Sequence, residues 1–140
     1  MKPEVCSSSA TVTVTVTPEM AATLDGRSIH PLYSTFWLAY HAEVAARKAI
    51  EPYFDDGENA IGGAITLEHF AMCPIGAQVH ITATVAERKG NRIICSITAR
   101  TPHREIARGT QTQIVLPATV ISEKIRQAYD DHHLPLPDES

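Results

Sequence analysis

Four strand-forming segments follow one another between residues 60 and 116, separated only by short turns. They are AIGGAITLEHFAM (60–72), GAQVHITATVAERK (76–89), NRIICSITART (91–101) and REIARGTQTQIVL (104–116). Together they are rich in β-branched residues and are punctuated by Gly, Pro and Asn, the composition of strands and turns. Gly90-Asn91 is a hairpin signal. Pro74-Ile75-Gly76 and Thr101-Pro102-His103 make the other two links. Parallel neighbours need crossovers of a dozen residues or more, so links this short predict an antiparallel meander.

What precedes these strands completes the plan. ATVTVTVT (10–17) alternates strictly between small apolar residues and Thr, the period of a half-buried strand, and Pro18 ends it. Residues 18–33, with Asp25-Gly26 and Pro31, read as a loop or lid. STFWLAYHAEVAARKAI then reads as one long helix, with Ser34 or Thr35 as N-cap and a stop before Pro52. At 100° per residue, Leu38, Ala42, Ala45 and Ala49 form a small, flat face suited to lying on a sheet. Phe36, Tyr40, Glu43, Arg47 and Ile50 form a second face, and Trp37, His41 and Lys48 a third. After Pro117, ATVISEKIRQAYDD (118–131) reads as a short amphipathic helix, and HHLPLPDES as a frayed tail. One long helix and five strands make a two-layer α+β domain, a single unit over 1–140 with its core at about 10–117. One helix covers only part of such a sheet, so a homodimer is expected.

Composition narrows the function. The net charge of -4 argues against nucleic acid as a partner, because phosphate binding needs a basic face. No apolar run reaches the roughly 18 residues of a membrane-spanning helix, so no membrane role is expected. MKPEVCSSSATV lacks the apolar centre of a signal peptide, which makes the cytoplasm the expected compartment. Cys6, Cys73 and Cys95 are odd in number and contain no CxxC, which fits neither a disulfide framework nor a zinc site. Cys95, in RIICSITA, is expected to be an inert core thiol. Cys73, in AMCPIG, is expected to be more accessible.

Glu43 is the only acidic residue between Asp25 and Glu51. A carboxylate on a mostly apolar helix is costly to bury unless it is paired or used. Two readings stand. Arg47, one turn on, makes an i,i+4 pair worth about 0.2–0.5 kcal/mol if exposed. Otherwise Glu43 does chemistry. His69 is either a satisfied core histidine or a proton carrier. Gly62-Gly63 marks a bulge or a close backbone approach, and a ligand needs the latter. Arg88, Lys89 and Arg92 solubilise a hairpin tip or attract phosphates. His41, His80 and His103 have no assigned role. The chain has no GxSxG elbow.

Several segments carry a resemblance: HPLYSTFW, HAEVAARK and EPYF, then GENAIGGAITLEHFAMCPIG, VAERKGNRIICSITA and IARGTQTQIVLP. From about Val16 to Pro117 the chain resembles hotdog-fold thioesterases of the fluoroacetyl-CoA thioesterase-like family. The resemblance implies a curved five-stranded antiparallel sheet wrapped around one long central helix. It implies hydrolysis of a short or medium acyl-CoA to free acid and CoA. Residue by residue, the family's threonine falls on Thr35, its glutamate on Glu43 and its histidine on His69, the implied catalytic set. The glycine near the acyl group falls on Gly62. Gly63 and Phe36 join it as candidate substrate contacts. No metal or organic cofactor is implied, since coenzyme A is part of the substrate. One departure stands out: the family's fluoroacetyl-selective enzyme has lid phenylalanines where this chain reads LDGRSIHPL. That puts fluoroacetyl selectivity in question and leaves the acyl group unassigned, with the hydrolytic residues unchanged. The competing expectations are a non-catalytic acyl-CoA binding module and a hydratase, the latter with no supporting motif.

Within the resemblance, Glu43 is the nucleophile or the general base. His69 moves protons to and from water and the leaving sulfur, and Thr35 holds Glu43 or the carbonyl oxygen. Backbone N–H groups near Thr35, Gly62 and Gly63 are candidate oxyanion donors. Thr35 and Glu43 are eight residues apart, about 12 Å along a helix. One of them therefore folds back or acts across a subunit interface.

Overall fold

Ser34 starts the long helix. Its hydroxyl accepts a hydrogen bond from the Trp37 N–H at 3.2 Å, which leaves the Thr35 side chain free of capping. The helix, α1, runs Thr35–Ile50 and gives way to a 3-10 turn at Glu51–Tyr53, where Pro52 has no N–H to continue it. The computed structural model describes residues 1–137; the last three residues of the tail lie outside the described residues. The strands are β1 (Ser9–Thr15), β2 (Ala21–Leu24), β3 (Arg27–Tyr33), β4 (Glu58–His69), β5 (Gln78–Lys89), β6 (Arg92–Arg100) and β7 (Glu105–Pro117), with α2 at Ala118–Asp131.

The main sheet is antiparallel and five-stranded, in the order β1-β5-β6-β7-β4. This is the hotdog fold, with α1 held in the curve of the sheet. Leu38, Ala42, Ala45 and Ala49 are fully buried, as the flat face requires. They meet Val79, Ile81 and Ala83 of β5 and the inner residues of β6 in one apolar core. The Ser8 hydroxyl donates to the Ala49 carbonyl at 2.6 Å and ties the entry of β1 to the end of α1. Among the described residues, no helix is long and apolar enough to cross a membrane.

Three sequence expectations change. The four late strands are not a full meander. β5, β6 and β7 follow one another by hairpins, but β4 pairs with β7 on the far edge, and residues 70–77 carry the chain back across to β5. Backbone proximity explains the preference. A side chain at Gly109 would overlap the Thr66 carbonyl, so only glycine lets β4 lie this close to β7. The segment expected to be a loop or lid is a small separate hairpin, β2–β3, turning at Asp25 (φ 52°) and Gly26 (φ 71°). Both residues have positive φ, as a two-residue turn of this kind needs. Its strands were hidden because β2 is only four residues long and β3 carries Pro31. Cys73 also differs: it is fully buried, and burial pushes its thiol up. Cys95 is buried as expected, pushed up to about 11.

Candidate active site

The helix does not sit centrally on the sheet. Its nearest neighbours are β5 and β1, and it only touches β7 and β4. A cavity of about 420 Å³ opens on the uncovered side, between α1 and the β4–β7 edge. Glu43, Tyr40, Val44, Arg47 and Lys48 line it from the helix, Ala60 and Gly62 from β4, and Gln113 from β7.

Glu43 faces this cavity and is not paired with Arg47. The Arg47 guanidinium is otherwise engaged: Nε donates to Glu51 at 2.8 Å, Nη2 to Asn59 Oδ1 at 2.7 Å, and Nη1 to the Ala60 carbonyl at 3.0 Å. It also lies 5.1 Å over the Phe54 ring. The hydrogen bond that Glu43 does make is with Gln111, whose Nε2 donates to Oε1 at 3.3 Å. The same oxygen lies against Gly62, where a methyl would overlap it. Gly62 is thus the close approach that its residue type suggested. Gly63 is the bulge: the β4–β7 register shifts between Gly62 and Ala64, and Gly63 faces Ile114.

His69 and Thr35 form a second group. Thr35 Oγ1 and His69 Nδ1 are 3.0 Å apart. His69 Nε2 is buried and has no hydrogen-bond partner among the described residues. A buried ring nitrogen left unpaired costs about 1–3 kcal/mol. Burial lowers the His69 pKa below the ordinary imidazole value, and the Ala71 backbone opposes this more weakly. The ring is therefore neutral at pH 7, with one nitrogen able to give a proton and the other able to take one. Tyr33 packs edge-on to His69 at 6.4 Å and hydrogen bonds His41 Nδ1 at 2.6 Å. Burial raises the Tyr33 pKa and lowers that of His41, so the phenol donates to a neutral imidazole.

The structure therefore joins the expected residues in two pairs. Thr35 and His69 meet directly, as do Glu43 and Gly62. The pairs lie at different levels of α1, and His69 borders a separate hollow with Leu32, Tyr33, Phe70, Ala71 and Met72. Phe36 lines neither space; it is 75% exposed at the first turn of α1. Gln111, Gln113 and Tyr33 were not singled out in the sequence. The first two had a readable signal. In TQTQ the glutamines occupy the same face of β7 as Ala107 and Val115, which is a core face. Tyr33 ended a segment read as loop and carried no signal.

With this geometry in place, the relatives agree on the class. A Thermus thermophilus protein described as a thioesterase superfamily member superimposes with a TM-score of 0.90 at 29% identity, over 95% of this chain and 98% of that one. A mutant of the fluoroacetyl-CoA-specific thioesterase, crystallised with fluoroacetate and CoA, superimposes with a TM-score of 0.76 at 26% identity, over 84% of this chain and 97% of that one. The fold is that of the hotdog thioesterases, and the class is that of enzymes that hydrolyse acyl-CoA thioesters.

The family can be stated more closely. Residues 16–119 match the family described as fluoroacetyl-CoA-specific thioesterase, and the chain belongs to that family. The fluoroacetyl-CoA thioesterase of Streptantibioticus cattleyicolor is 30% identical over 96 residues, 69% of each chain.

Proposed function

We propose that this thioesterase acts on a short or medium acyl-CoA without selecting for fluorine, with Glu43, His69 and Thr35 as its catalytic residues. The observation that carries the proposal is the placement of Glu43: it stands on the wall of an open cavity, free of Arg47, with one oxygen fixed at Gly62. A thioester is already activated, so hydrolysis needs an electron pair at the carbonyl carbon, a stabilised oxyanion and a proton for the leaving thiolate. The electron pair comes from Glu43 itself, attacking the carbonyl carbon, or from a water whose proton Glu43 takes. As the C–S bond breaks, His69 gives one proton to the CoA thiolate and takes another from the attacking water, so that the ring ends neutral. Where Glu43 attacks, water then opens the resulting anhydride and returns the carboxylate. Gly62 lines the acyl group, whereas Gly63, facing Ile114, and the exposed Phe36 stand outside the cavity.

The acyl preference follows from the hairpin beside the site. The segment Ala21–Tyr33 contains no phenylalanine, and Leu24 near its tip is 68% exposed. It offers no phenylalanine cover that would distinguish fluoroacetyl from acetyl, and its Tyr33 is buried against His41 and His69.

The reading includes a homodimer. β4 is an edge strand, and Ile61 and Ile65 on it are exposed, as are Phe36 and Tyr40 on the adjoining face of α1. Bare apolar groups beside an unpaired strand favour a second copy. A partner subunit would bring its own His69 and Thr35 toward this Glu43, which stands eight residues, about 12 Å, along α1 from Thr35 of its own chain. The three free cysteines suit the reducing cytoplasm, and the acidic surface suits neither nucleic acid nor anionic membrane.

Thiol release over acetyl-, butyryl-, hexanoyl-, octanoyl- and fluoroacetyl-CoA tests the proposal. Glu43→Gln should lower turnover by roughly 10²–10⁴-fold, the usual worth of a positioned acid or base, while CoA-ester binding persists. Wild-type turnover in Glu43→Gln would remove the catalytic assignment. A large preference for fluoroacetyl- over acetyl-CoA would remove the acyl assignment. Single turnover in oxygen-18 water tests the anhydride route: label in Glu43 marks an anhydride opened at the glutamyl carbonyl, and label in the product acid alone fits direct attack or opening at the acyl carbonyl. Sedimentation of Ile65→Lys tests the dimer, which should dissociate and lose activity together.

A further inference from the structure

Behind Glu43 stands a short chain of buried amides. Gln113 and Gln111 are 2% and 1% exposed, the only glutamines on the core face of β7, among Ala107, Gly109 and Val115. An amide in an apolar core is costly unless its polar atoms are used. Here they are used in sequence: Gln113 Nε2 donates to Gln111 Oε1 at 2.9 Å, and Gln111 Nε2 donates to Glu43 Oε1 at 3.3 Å. We infer that Gln113 and Gln111 form a positioning relay that holds Glu43 for reaction and dictates which of its oxygens reacts. The inference rests on the reading of Glu43 as catalytic.

The relay has a direction. Because Gln113 fills the oxygen of Gln111, the end of Gln111 that faces Glu43 is its NH₂, which can only donate. Glu43 Oε1 is therefore an acceptor held between an N–H and the bare backbone of Gly62. Oε2 has no hydrogen bond among the described residues and is left to meet the thioester or the water. The arrangement is set by the sheet: Gln113 pairs directly with Gly62 across the β4–β7 ladder, and Gln111 with Ile65. At 3.3 Å the last link is longer than the usual 3.0 Å, and catalytic hydrogen bonds in unliganded sites commonly tighten when substrate binds. The charged groups around it leave this role to the amides. Tyr40, Arg47 and Lys48 line the same cavity from α1 and Glu51 from the turn after it; Arg47 is committed to Glu51, Asn59 and Ala60, while β4 contributes only Ala60 and Gly62.

Four variants test the relay on whichever panel member is hydrolysed fastest. Gln111→Met keeps the volume and removes the donor; kcat should fall about tenfold or more, as for small misplacements of a reacting group, with KM nearly unchanged. Gln113→Met should lower kcat less. The double variant should be no slower than Gln111→Met alone, because Gln113 acts through Gln111. Gln111→Glu should be slow at neutral pH, where two carboxylates face each other, and should recover as pH falls and the new carboxyl becomes a donor. This recovery is a readout that a merely structural role would not produce, and it stands even where Gln111→Met fails to fold. Unchanged kcat in Gln111→Met, additive losses in the double variant, or no acid recovery in Gln111→Glu would each overturn the relay. Glu43→Gln separates the two levels: if it is inactive while the Gln111 variants are unaffected, only the relay fails; if it is fully active, the underlying reading fails.

Discussion

The two flanks of the central helix are built differently. On the β1–β5 side, alanines of α1 press onto Val79, Ile81 and Ala83, and every side chain named there is fully buried and apolar. On the β4–β7 side the helix stands away, and the space holds Glu43, Gln111, Gln113 and the bare backbone of Gly62. Small residues let one flank close; glycine and buried amides keep the other open and polar. The first flank holds the fold together, and the second spends polar groups where water or substrate must enter. A carboxylate can stand on a mostly apolar helix because only one of its flanks is sealed.

That contrast can be broken from either side. Ile81→Ala on the sealed flank should cost about 2–5 kcal/mol of unfolding free energy, the range for truncating a large core side chain. Denaturant unfolding measures it, and activity per folded molecule should hold below the transition. If activity falls as much as stability, the flanks are not separable. On the open flank, Gly62→Ala places a methyl where Glu43 Oε1 lies; the flexible end of Glu43 gives way more easily than the sheet. Thiol release should drop about tenfold, while the unfolding midpoint stays within about 0.5 kcal/mol of wild type, the span of substitutions that disturb no core. A large stability loss without loss of rate would reverse the picture of Gly62.

The smallest effect concerns pH. His69 and His41 both have pKa values lowered by burial from the ordinary 6.5. The unfolded chain therefore binds these protons more readily than the folded one. The stability contributed by the neutral rings is fully present above pH 6.5 and is lost as pH falls from there toward the lowered folded values. Urea midpoints on either side of pH 6.5 should show this decline, and His69→Asn should make it shallower. An unchanged slope in His69→Asn would mean that burial does not hold this ring neutral.

Much of the fold was legible because it follows from local periodicity. The alternation of β1, the flat alanine face of α1, the Gly90-Asn91 hairpin and the amphipathic α2 each lie within one short window. Glu43 and His69 were legible as chemical types, and the resemblance assigned them roles. The amide chain was not read, although TQTQ places both glutamines on one face of a strand. What a glutamine on a core face means depends on what lies opposite it, and here that is Gly62 and the end of Glu43, from two other elements.

By itself, then, the sequence determined the element types, the helix face that lies on the sheet and the residue kinds able to open a thioester. Only the tertiary structure decided that β4 crosses to the far edge, that Arg47 turns away from Glu43, and that Gln111 takes its place. The physical reason is range. Periodicity and capping act over a few residues, whereas these three outcomes depend on contacts between segments 12 to 68 residues apart, made possible by backbone approaches at Gly62 and Gly109.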